Sequence, residues 1–402
     1  MDGLVYILNR SSNYRVNVEL LNCKFGKSCF LSYAYDRDLL CEIYASGRLV
    51  SSISYRQISY RGILFPFAVI YNSFVILRCV LHFKKCHHAE NLLCIVENWL
   101  HCPVAVLLRI SRIVRPLVYW AGDWLYLPVR PFFAYANIRS NIQSLLFLLF
   151  DAVTCKLSDR VWDTTERISR ARKGICPWVL KSGKERTLSP LFIHRSCRIN
   201  RTPDCFHFVH FGVLTEDRQP SLLLRAISQI IHLGHRVHLH LIGFSIDRNE
   251  DMLSNLGATL GITEHVTFHG FIEEFDQIDS MLQQYDCGLA LAVPSCHLHS
   301  YFAWTSKIAY YLSMGVPVVT TRHSSELAVW IEKYHAGCVV DNSLESLVDA
   351  MLQVMESYRT GFPRIVDQNI NLLIDAVDSV NSFNEVLMDL ARTNAFSGGE
   401  SR

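Results

Sequence analysis

Hydrophobic and polar positions follow a regular pattern in the second half of the chain. Short apolar runs alternate there with longer amphipathic stretches, which predicts strands separated by helices and hence a parallel sheet with helices on both faces. The predicted strands are Phe206–Phe211, Arg236–Ile242, His265–Phe268, Cys287–Leu291, Val316–Thr320 and Gly337–Val340. The predicted helices are Pro220–His232, Asn249–Leu260, Asp276–Gln284, Thr305–Met314, Ser325–Lys333 and Leu344–Tyr358.

The first half is less regular but has the same kinds of element. Its predicted strands are Leu4–Leu8, Ser28–Tyr35, Leu92–Val96 and Pro116–Trp120. Its predicted helices are Phe74–Phe83, Pro103–Ile113 and Asn141–Leu157. Asp159–Thr165 reads as a short strand that runs into a helix start. We therefore expect an α/β domain here too.

One apolar stretch, residues 63–83, is about long enough to span a bilayer. Pro66, Asn72 and Arg78 interrupt it, and Lys84 and Lys85 follow directly. These interruptions favour a core helix, placed near a membrane surface, over a true membrane span.

A polar, irregular segment around Lys181–Pro203 separates the two halves. We expect domains over residues 1–180 and 205–368, a linker over 181–204, and a C-terminal segment over 369–402. A length of 402 residues, of which 50% are hydrophobic and 19% charged, fits two folded domains with large cores.

The net charge of +2 does not indicate nucleic-acid binding. Basic residues nevertheless collect among the apolar stretches of the first half, which is typical either of solvated helix faces or of contact with an anionic membrane. They are Lys84, Lys85, Arg109, Arg112, Arg115, Arg130 and Arg139. The 14 cysteines include no CxxC pair, and the N-terminal segment has no signal-peptide pattern, so we expect a reducing, cytoplasmic setting.

Ligands of such sheets bind outside the carboxyl ends of the strands. Gly212, Gly243 and Gly270 follow three predicted strands, and glycine lets a backbone approach a ligand closely. The helix starting at Thr305-Ser306-Lys307 offers free N–H groups and a positive charge to an anion such as a diphosphate, with Thr305 or Ser306 as its cap. Arg218 is a second candidate phosphate ligand. A capped, solvent-facing helix and a surface arginine are the alternatives.

Metal chemistry has weaker support. His235, His238 and His240 lie in or beside one strand, where satisfied structural histidines are the favoured interpretation. Cys296-His-Leu-His299 has no partner ligands at a known spacing, although His297 or His299 could touch a ligand from its loop. We predict neither a metal nor a cofactor.

Five sequence blocks resemble the large retaining "group 1" glycosyltransferase family, and they cover Phe206–Met355. They contain Gly212-Val-Leu-Thr-Glu-Asp-Arg-Gln-Pro, Leu241-Ile-Gly243-Phe, Val266-Thr-Phe-His-Gly270-Phe, Tyr285-Asp-Cys-Gly288-Leu-Ala-Leu and, most specifically, Lys307-Ile-Ala-Tyr-Tyr-Leu-Ser-Met-Gly-Val-Pro-Val-Val319. The resemblance implies a GT-B fold, with two Rossmann-like domains that face each other across a cleft. It also implies a nucleotide diphosphate-sugar as donor, retention of configuration, and a final helix that returns to the first domain. Asn369–Asn394 would supply that helix, followed by a tail to residue 402.

The family's carboxylate pair falls on Phe302 and Tyr310, and its arginine–lysine phosphate pair falls on Val213 and Arg218. The resemblance thus leaves Arg218, Lys307 and the Ser306 helix end for the diphosphate, with Tyr310 on the ribose side. It places Asp123, after Val118-Tyr-Trp-Ala-Gly, toward the acceptor as a contact or acid/base group; a capping aspartate is the alternative.

We therefore expect a cytoplasmic transferase at the membrane face that moves a sugar to a lipid-linked or polysaccharide acceptor, as in cell-surface glycan synthesis. The missing carboxylates raise a second hypothesis, a catalytically lapsed GT-B protein that binds a glycan or supports an active transferase. A nucleotide-sugar epimerase is a third, and no carboxylate set supports it.

Overall fold

A computed structural model divides the chain into two compact units, Met1–Leu191 with Ser379–Arg402, and Phe192–Asp378. The structure describes residues 3–9, 21, 24–33, 38–56, 65–89, 91–97, 99–122, 138–175, 177, 184–188, 204–244, 249–272, 275–293, 305–322, 324, 326–359, 363–377, 382 and 384–388. The predicted boundaries at 180, 204 and 368 stay predictions.

The described strands of the first unit form one sheet, in the order β4-β3-β2-β1-β5-β6-β7-β8. The strands are β1 Gly3–Asn9, β2 Lys27–Tyr33, β3 Leu39–Ala45, β4 Arg48–Tyr55, β5 Leu92–Val96, β6 Leu117–Ala121, β7 Arg160–Asp163 and β8 Glu185–Thr187. The helices are α1 Phe65–His87, α2 Cys102–Ile110, α3 Ile138–Leu157 and α4 Glu166–Ile175. Strands β5 and β6 are buried at every position because helices cover a parallel sheet on both faces.

Three strands of this sheet were not predicted. β3 and β4 form an antiparallel hairpin around Ser46 and Gly47, which both have positive φ angles of 50° and 76°. Most side chains of β4 are exposed, so the strand lacks the buried apolar pattern that identified its neighbours. β8 lies inside the segment predicted as a linker and pairs with β7 at the edge of the sheet.

The described strands of the second unit form a six-stranded parallel sheet, in the order β11-β10-β9-β12-β13-β14. The strands are β9 Phe206–Phe211, β10 Val237–Ile242, β11 Val266–Gly270, β12 Cys287–Ala290, β13 Val318–Thr321 and β14 Gly337–Val340. The helices are α5 Pro220–His232, α6 Asn249–Thr259, α7 Phe275–Leu282, α8 Ser306–Ser313, α9 Leu327–Tyr334, α10 Leu344–Arg359 and α11 Pro363–Val377. Every strand predicted for this half is present, within two residues at each end.

Two apolar clusters cover the faces of this sheet, one beneath α5 and α10 and one beneath α8, α9 and α11. α11 begins at Pro363, six residues before the predicted start of the final helix, and ends at Val377. Proline fits a first helical turn because that turn leaves its N–H groups unpaired anyway. From β9 the chain adds β10 and β11 on one side of the sheet and then β12, β13 and β14 on the other side. At such a switch in strand order, parallel sheets have a crevice at the carboxyl ends of the strands where ligands bind.

Candidate functional site

Three glycines lie together at the carboxyl edge of the second sheet. The N–H group of Gly212 donates to the Ile242 carbonyl at 2.8 Å, and that of Gly243 donates to the Gly270 carbonyl at 2.8 Å. The ends of β9, β10 and β11 are thereby held side by side.

The three positions require glycine for different reasons. A β-carbon on Gly243 would lie 1.7 Å from the Gly212 carbonyl oxygen, so the close approach there is between two backbone segments and needs no ligand to explain it. A β-carbon on Gly212 would lie 3.1 Å from Lys307 Nζ. Gly270 has a φ angle of 67° and no heavy atom within 4 Å of the same position, so open space surrounds it.

Lys307 is the second residue of α8, and its side chain extends over Gly212. Burial and, to a smaller extent, the positive charge of Arg218 lower the pKa of Lys307 to about 7, while the carboxylate of Asp217 opposes them. A lysine with so little negative charge around it is suited to receive an anionic ligand.

Arg218 ends a short helical turn after β9 and is held by its neighbour. Its Nε lies 3.7 Å from Asp217 Oδ2, and the Thr215 hydroxyl donates to the same carboxylate. The Val293 N–H group donates to the Asp217 carbonyl at 2.9 Å, which ties this turn to the loop after β12. The charge of Arg218 acts on Lys307, so these two predicted phosphate ligands lie near each other at one end of the sheet.

The N-terminus of α8 is not capped as predicted. Thr305 occupies the capping position, but its hydroxyl donates to the Ser324 carbonyl at 2.7 Å and not to α8. The loop after β13 therefore anchors the start of the helix. Among the described residues, no acceptor receives the N–H group of Ser306 or Lys307, and both stay available to an anion.

His210 lies buried on β9 next to this cation pair, and sequence reasoning missed it. Its Nδ1 donates to the Leu289 carbonyl at 3.2 Å. Burial and the charge of Lys307 lower its pKa well below the usual value, so the ring is neutral. Its position between apolar β-strand residues gave no pattern that distinguished it from core.

Tyr310, at a position where the sequence resemblance implies a carboxylate, donates from its hydroxyl to Asp279 on α7. Its ring lies 6.0 Å from that of Phe211, at the end of β9. Lys307 is one helical turn earlier on the same helix, so Tyr310 is on the same side of α8 as the lysine. A carboxylate is therefore present near this position, supplied by a different helix.

The ring of Tyr311 explains why residue 288 is a glycine, as in the fourth of the sequence blocks quoted above. A β-carbon on Gly288 would lie 2.5 Å from the Tyr311 ring, and the Tyr311 hydroxyl accepts from the Phe211 N–H group at 2.7 Å. This contact fixes α8, and with it Lys307, against β9 and β12.

Two exposed aromatic side chains lie beside Gly243 and Gly270, and no sequence pattern indicated a role for them. Phe244 and Phe271 follow β10 and β11, with ring centroids 5.9 Å apart at an interplanar angle of 77°. Their exposed fractions are 41% and 55%. Aromatic rings with free area next to a phosphate site are suited to stack on a nucleobase.

Three histidines on neighbouring strands of the second sheet, His207, His240 and His269, form a chain of hydrogen bonds. His240 joins His207 at 2.9 Å and His269 at 3.0 Å, while His238 joins Thr267 at 2.8 Å. The favoured interpretation of satisfied histidines thus fits their contacts. Within the described residues, no group of His, Cys, Asp or Glu side chains is arranged to hold a metal ion.

The predicted acceptor residue Asp123 lies outside the described residues, as do His297, His299 and Phe302. The preceding segment is described: the Thr164 hydroxyl donates to the carbonyls of Ala121 and Gly122, at 3.1 and 3.3 Å. This contact fixes the carboxyl end of β6 to the start of α4.

The first unit also contains a buried ion network that no sequence pattern indicated. Arg172 makes two hydrogen bonds to Asp151, each 3.0 Å long, and a further one to Asp163. All three side chains are almost completely buried. The network joins α3, β7 and α4, and its role is structural because one buried guanidinium bridges two buried carboxylates from different elements.

Comparison with known proteins gives a match for the second unit. Residues 205–357 match the family model described as "Glycosyl transferases group 1". No functionally curated protein matches the sequence.

Solved structures match nearly the whole chain at low identity. Sucrose-phosphate synthase from Thermosynechococcus elongatus has a TM-score of 0.70 at 14% identity, over 98% of this chain and 100% of that one. Anabaena HepE in complex with UDP and glucose gives 0.66 at 13%, over 98% and 100%. WaaG, described as a glycosyltransferase involved in lipopolysaccharide biosynthesis, gives 0.61 at 15%, over 94% and 99%. At such identities the likeness shows the fold, and it confirms the predicted α/β architecture.

Proposed function

We propose that this chain, a GT-B protein whose residues 205–357 are a group 1 glycosyltransferase domain, moves a sugar from a nucleotide diphosphate-sugar to an acceptor. The observation that carries the proposal is the placement of Lys307 over Gly212, next to Arg218 and the open N-terminus of α8. Two cations and free N–H groups at one sheet edge are complementary to a diphosphate.

The chemistry follows from where negative charge develops. When the bond between the anomeric carbon and the leaving oxygen breaks, the diphosphate gains charge, and the cations at Lys307 and Arg218 stabilise it. The side chain of Asp217 orients Arg218 by the ion pair between them. No step requires a metal ion or an organic cofactor, and the nucleotide-sugar is itself the donor substrate. Retention of configuration is part of the proposal and is supported by the family resemblance.

The nucleoside end of the donor would extend toward Tyr310 and the Phe244–Phe271 pair. Ser306 contributes its backbone N–H group to the diphosphate, and Gly270 leaves open space beside it. UDP is the first nucleotide to test, because the similar Anabaena structure is a complex with UDP and glucose.

The proposed second substrate is a lipid-linked or polysaccharide acceptor. The reaction would take place on the cytoplasmic face of the membrane, as a step of cell-surface glycan synthesis. Support comes from similar structures such as WaaG, which is described as acting in lipopolysaccharide biosynthesis. Asp123 is the proposed acceptor-side residue.

The first experiment is calorimetric titration of the full chain with UDP, GDP and ADP, followed by assays of sugar release and transfer from the corresponding nucleotide-sugars. Binding of one nucleotide, with turnover of its sugar conjugate, is the expected result. Lys307→Ala should remove binding while the thermal unfolding temperature stays within a few degrees. Unchanged affinity in that variant would contradict the assignment of the diphosphate site.

A second function has one specific observation in its favour. In the sequence resemblance, Phe302 and Tyr310 fall at the positions of the family's carboxylates, which fits a protein that binds the donor without turning it over. Nucleotide-sugar binding with no release or transfer across the whole panel would favour this supporting role.

A further inference from the structure

Helix α1 of the first unit carries a stripe of large apolar side chains that face solvent. Phe67, Ile70 and Phe74 are 66%, 69% and 63% exposed. They are three or four residues apart, which places them on one side of a helix. Tyr71 and Leu81 extend the stripe along the same side.

The two neighbouring helices extend this stripe into a surface. α2 contacts α1, and α3 contacts α2, so the three helices lie side by side. Leu107 and Ile110 on α2 are 50% and 64% exposed, and Leu145 and Leu149 on α3 are 50% and 53% exposed. We call the exposed side chains of these three helices the α1–α3 apolar face. Soluble monomers rarely expose so much contiguous apolar area without a function.

The opposite side of α1 packs against the core of the first unit. Ala68, Ile76, Val80 and Phe83 have no exposed area. Among the described residues, α1 contains the one segment, Phe67–His87, that is long and apolar enough to cross a membrane by length and composition. Because one side of the helix is packed inside the folded unit, we expect α1 to lie along a membrane surface and not across it.

The three helices carry an excess of positive charge. α1 and α2 contain no acidic residue, and the only one in α3, Asp151, is buried and paired with Arg172. The basic residues of these helices are Arg78, Lys84, Lys85, Arg109, Arg139 and Lys156, of which Arg109 is paired with Asp159, just after α3. Exposed Arg112 and Arg115 follow α2 directly. A second copy of this chain would bring positive charge against positive charge, whereas an anionic bilayer is complementary to it.

We infer that the α1–α3 apolar face docks on a bilayer that contains anionic lipids, with its apolar side chains in the headgroup region and its basic side chains against lipid phosphates. The inference deepens the proposed function, because it would place the protein at the bilayer that holds a lipid-linked acceptor. It rests on the surface of the first unit alone and does not require the chain to be catalytically active.

The test is sedimentation of the full chain with vesicles of phosphatidylcholine, with or without phosphatidylglycerol, at low and high salt. We expect binding to the anionic vesicles, weakened by salt, and about tenfold less binding to the neutral ones. The triple variant Phe67→Ser/Ile70→Ser/Phe74→Ser should lower binding by about tenfold or more. Lys84→Ala/Lys85→Ala should lower it on anionic vesicles only.

A matched control is available on the second unit. Leu233, Val329 and Leu372 are 56%, 51% and 56% exposed, and their triple serine variant should bind vesicles like the unchanged protein. Equal loss in the control, or equal binding to neutral vesicles, would overturn the inference. So would resistance to alkaline carbonate extraction, which indicates a membrane span, or a lipid-independent dimer that the Phe67/Ile70/Phe74 variant dissociates.

Two further measurements separate this inference from folding and from donor binding. The Phe67/Ile70/Phe74 variant should keep its circular dichroism spectrum and its affinity for UDP without vesicles. A protein that binds anionic vesicles but no nucleotide would contradict the proposed function and leave the docking surface intact.

Discussion

The ammonium group of Lys307 lies directly over Gly212, with Nζ 3.1 Å from the point where a β-carbon would attach. Glycine at that position thus makes room for a cation that α8 supplies. The two residues come from different sequence blocks, and their contact joins the end of β9 to the start of α8.

Gly212→Ala should displace Lys307 and weaken nucleotide binding. The methyl group would contact Nζ, and a φ angle of 125° is strained for alanine. We expect the affinity for UDP-glucose, measured by calorimetry, to fall by about tenfold, or ~1.4 kcal/mol. Gly257→Ala on α6, where no heavy atom lies within 4 Å, is the control and should bind normally. Normal affinity in a folded Gly212→Ala protein would show that the position of Lys307 is unimportant.

Donor binding should take up a proton. In the free protein the pKa of Lys307 is lowered to about 7, chiefly by burial, and a bound diphosphate raises it. Affinity for UDP-glucose is then full below pH 7 and falls by about tenfold per pH unit above it, until the pKa of the complex is reached. Calorimetry at pH 8 in buffers of different ionisation enthalpy measures the uptake. Lys307→Arg should abolish it, and a pH-independent affinity in the unchanged protein would refute the idea.

Phe271→Ala should weaken nucleotide binding without affecting the phosphate contacts. Stacking of a base on an aromatic ring contributes about 1–3 kcal/mol by alanine substitution, so the affinity for UDP should fall by about tenfold. Inorganic pyrophosphate, which has no base, should bind equally well to both proteins. Phe271→Trp should restore UDP binding, and Leu233→Ala controls for loss of an exposed side chain. Equal loss for UDP and pyrophosphate would place Phe271 outside the base site.

Tyr310 and Asp279 should be energetically coupled. Removing the hydroxyl in Tyr310→Phe leaves the carboxylate without this donor, at a cost of about 1–2 kcal/mol in the free energy of unfolding. Asp279→Asn should cost a similar amount, and the double variant should cost less than the sum. Urea unfolding of all four proteins gives the coupling energy, and strictly additive costs would mean that the pair contributes nothing.

Arg172→Leu should destabilise the first unit severely. The substitution leaves Asp151 and Asp163 buried without their partner, which costs about 3–5 kcal/mol. Arg170→Ala on the same helix is the control, because its pair with Glu166 is exposed and contributes less than about 1 kcal/mol. Tryptophan fluorescence is a suitable probe, since Trp120 and Trp162 pack at 5.7 Å in this unit. A loss no larger than that of Arg170→Ala would contradict the structural role.

The second unit could be predicted from the sequence because its signals are local. A strand such as Phe206–Phe211 is an apolar run between turn residues, and α5 starts at Pro220. The glycines after the strands and the lysine at the start of α8 could also be assigned to one site from their positions alone, since the carboxyl ends of parallel strands meet at one edge.

What could not be predicted depends on packing between distant residues. Asp151 and Asp163 precede Arg172 by 21 and 9 positions, and no helical or strand period relates the three. The sequence resemblance drew attention to Tyr310, but its partner Asp279 is 31 positions away on another helix. The hairpin of β3 and β4 had a turn signal at Ser46-Gly47, which the exposed β4 obscured.

The contact between Gly243 and the Gly212 carbonyl has a consequence for how this sequence can drift. Any mutation that replaces a glycine by another amino acid adds at least a β-carbon. At residue 243 that atom would overlap a backbone oxygen 1.7 Å away. No side-chain rotation relieves a clash with backbone, so the two strands would have to separate. Saturation mutagenesis should therefore find residue 243 closed to all substitutions, including in a lineage that has lost catalysis and kept only the fold.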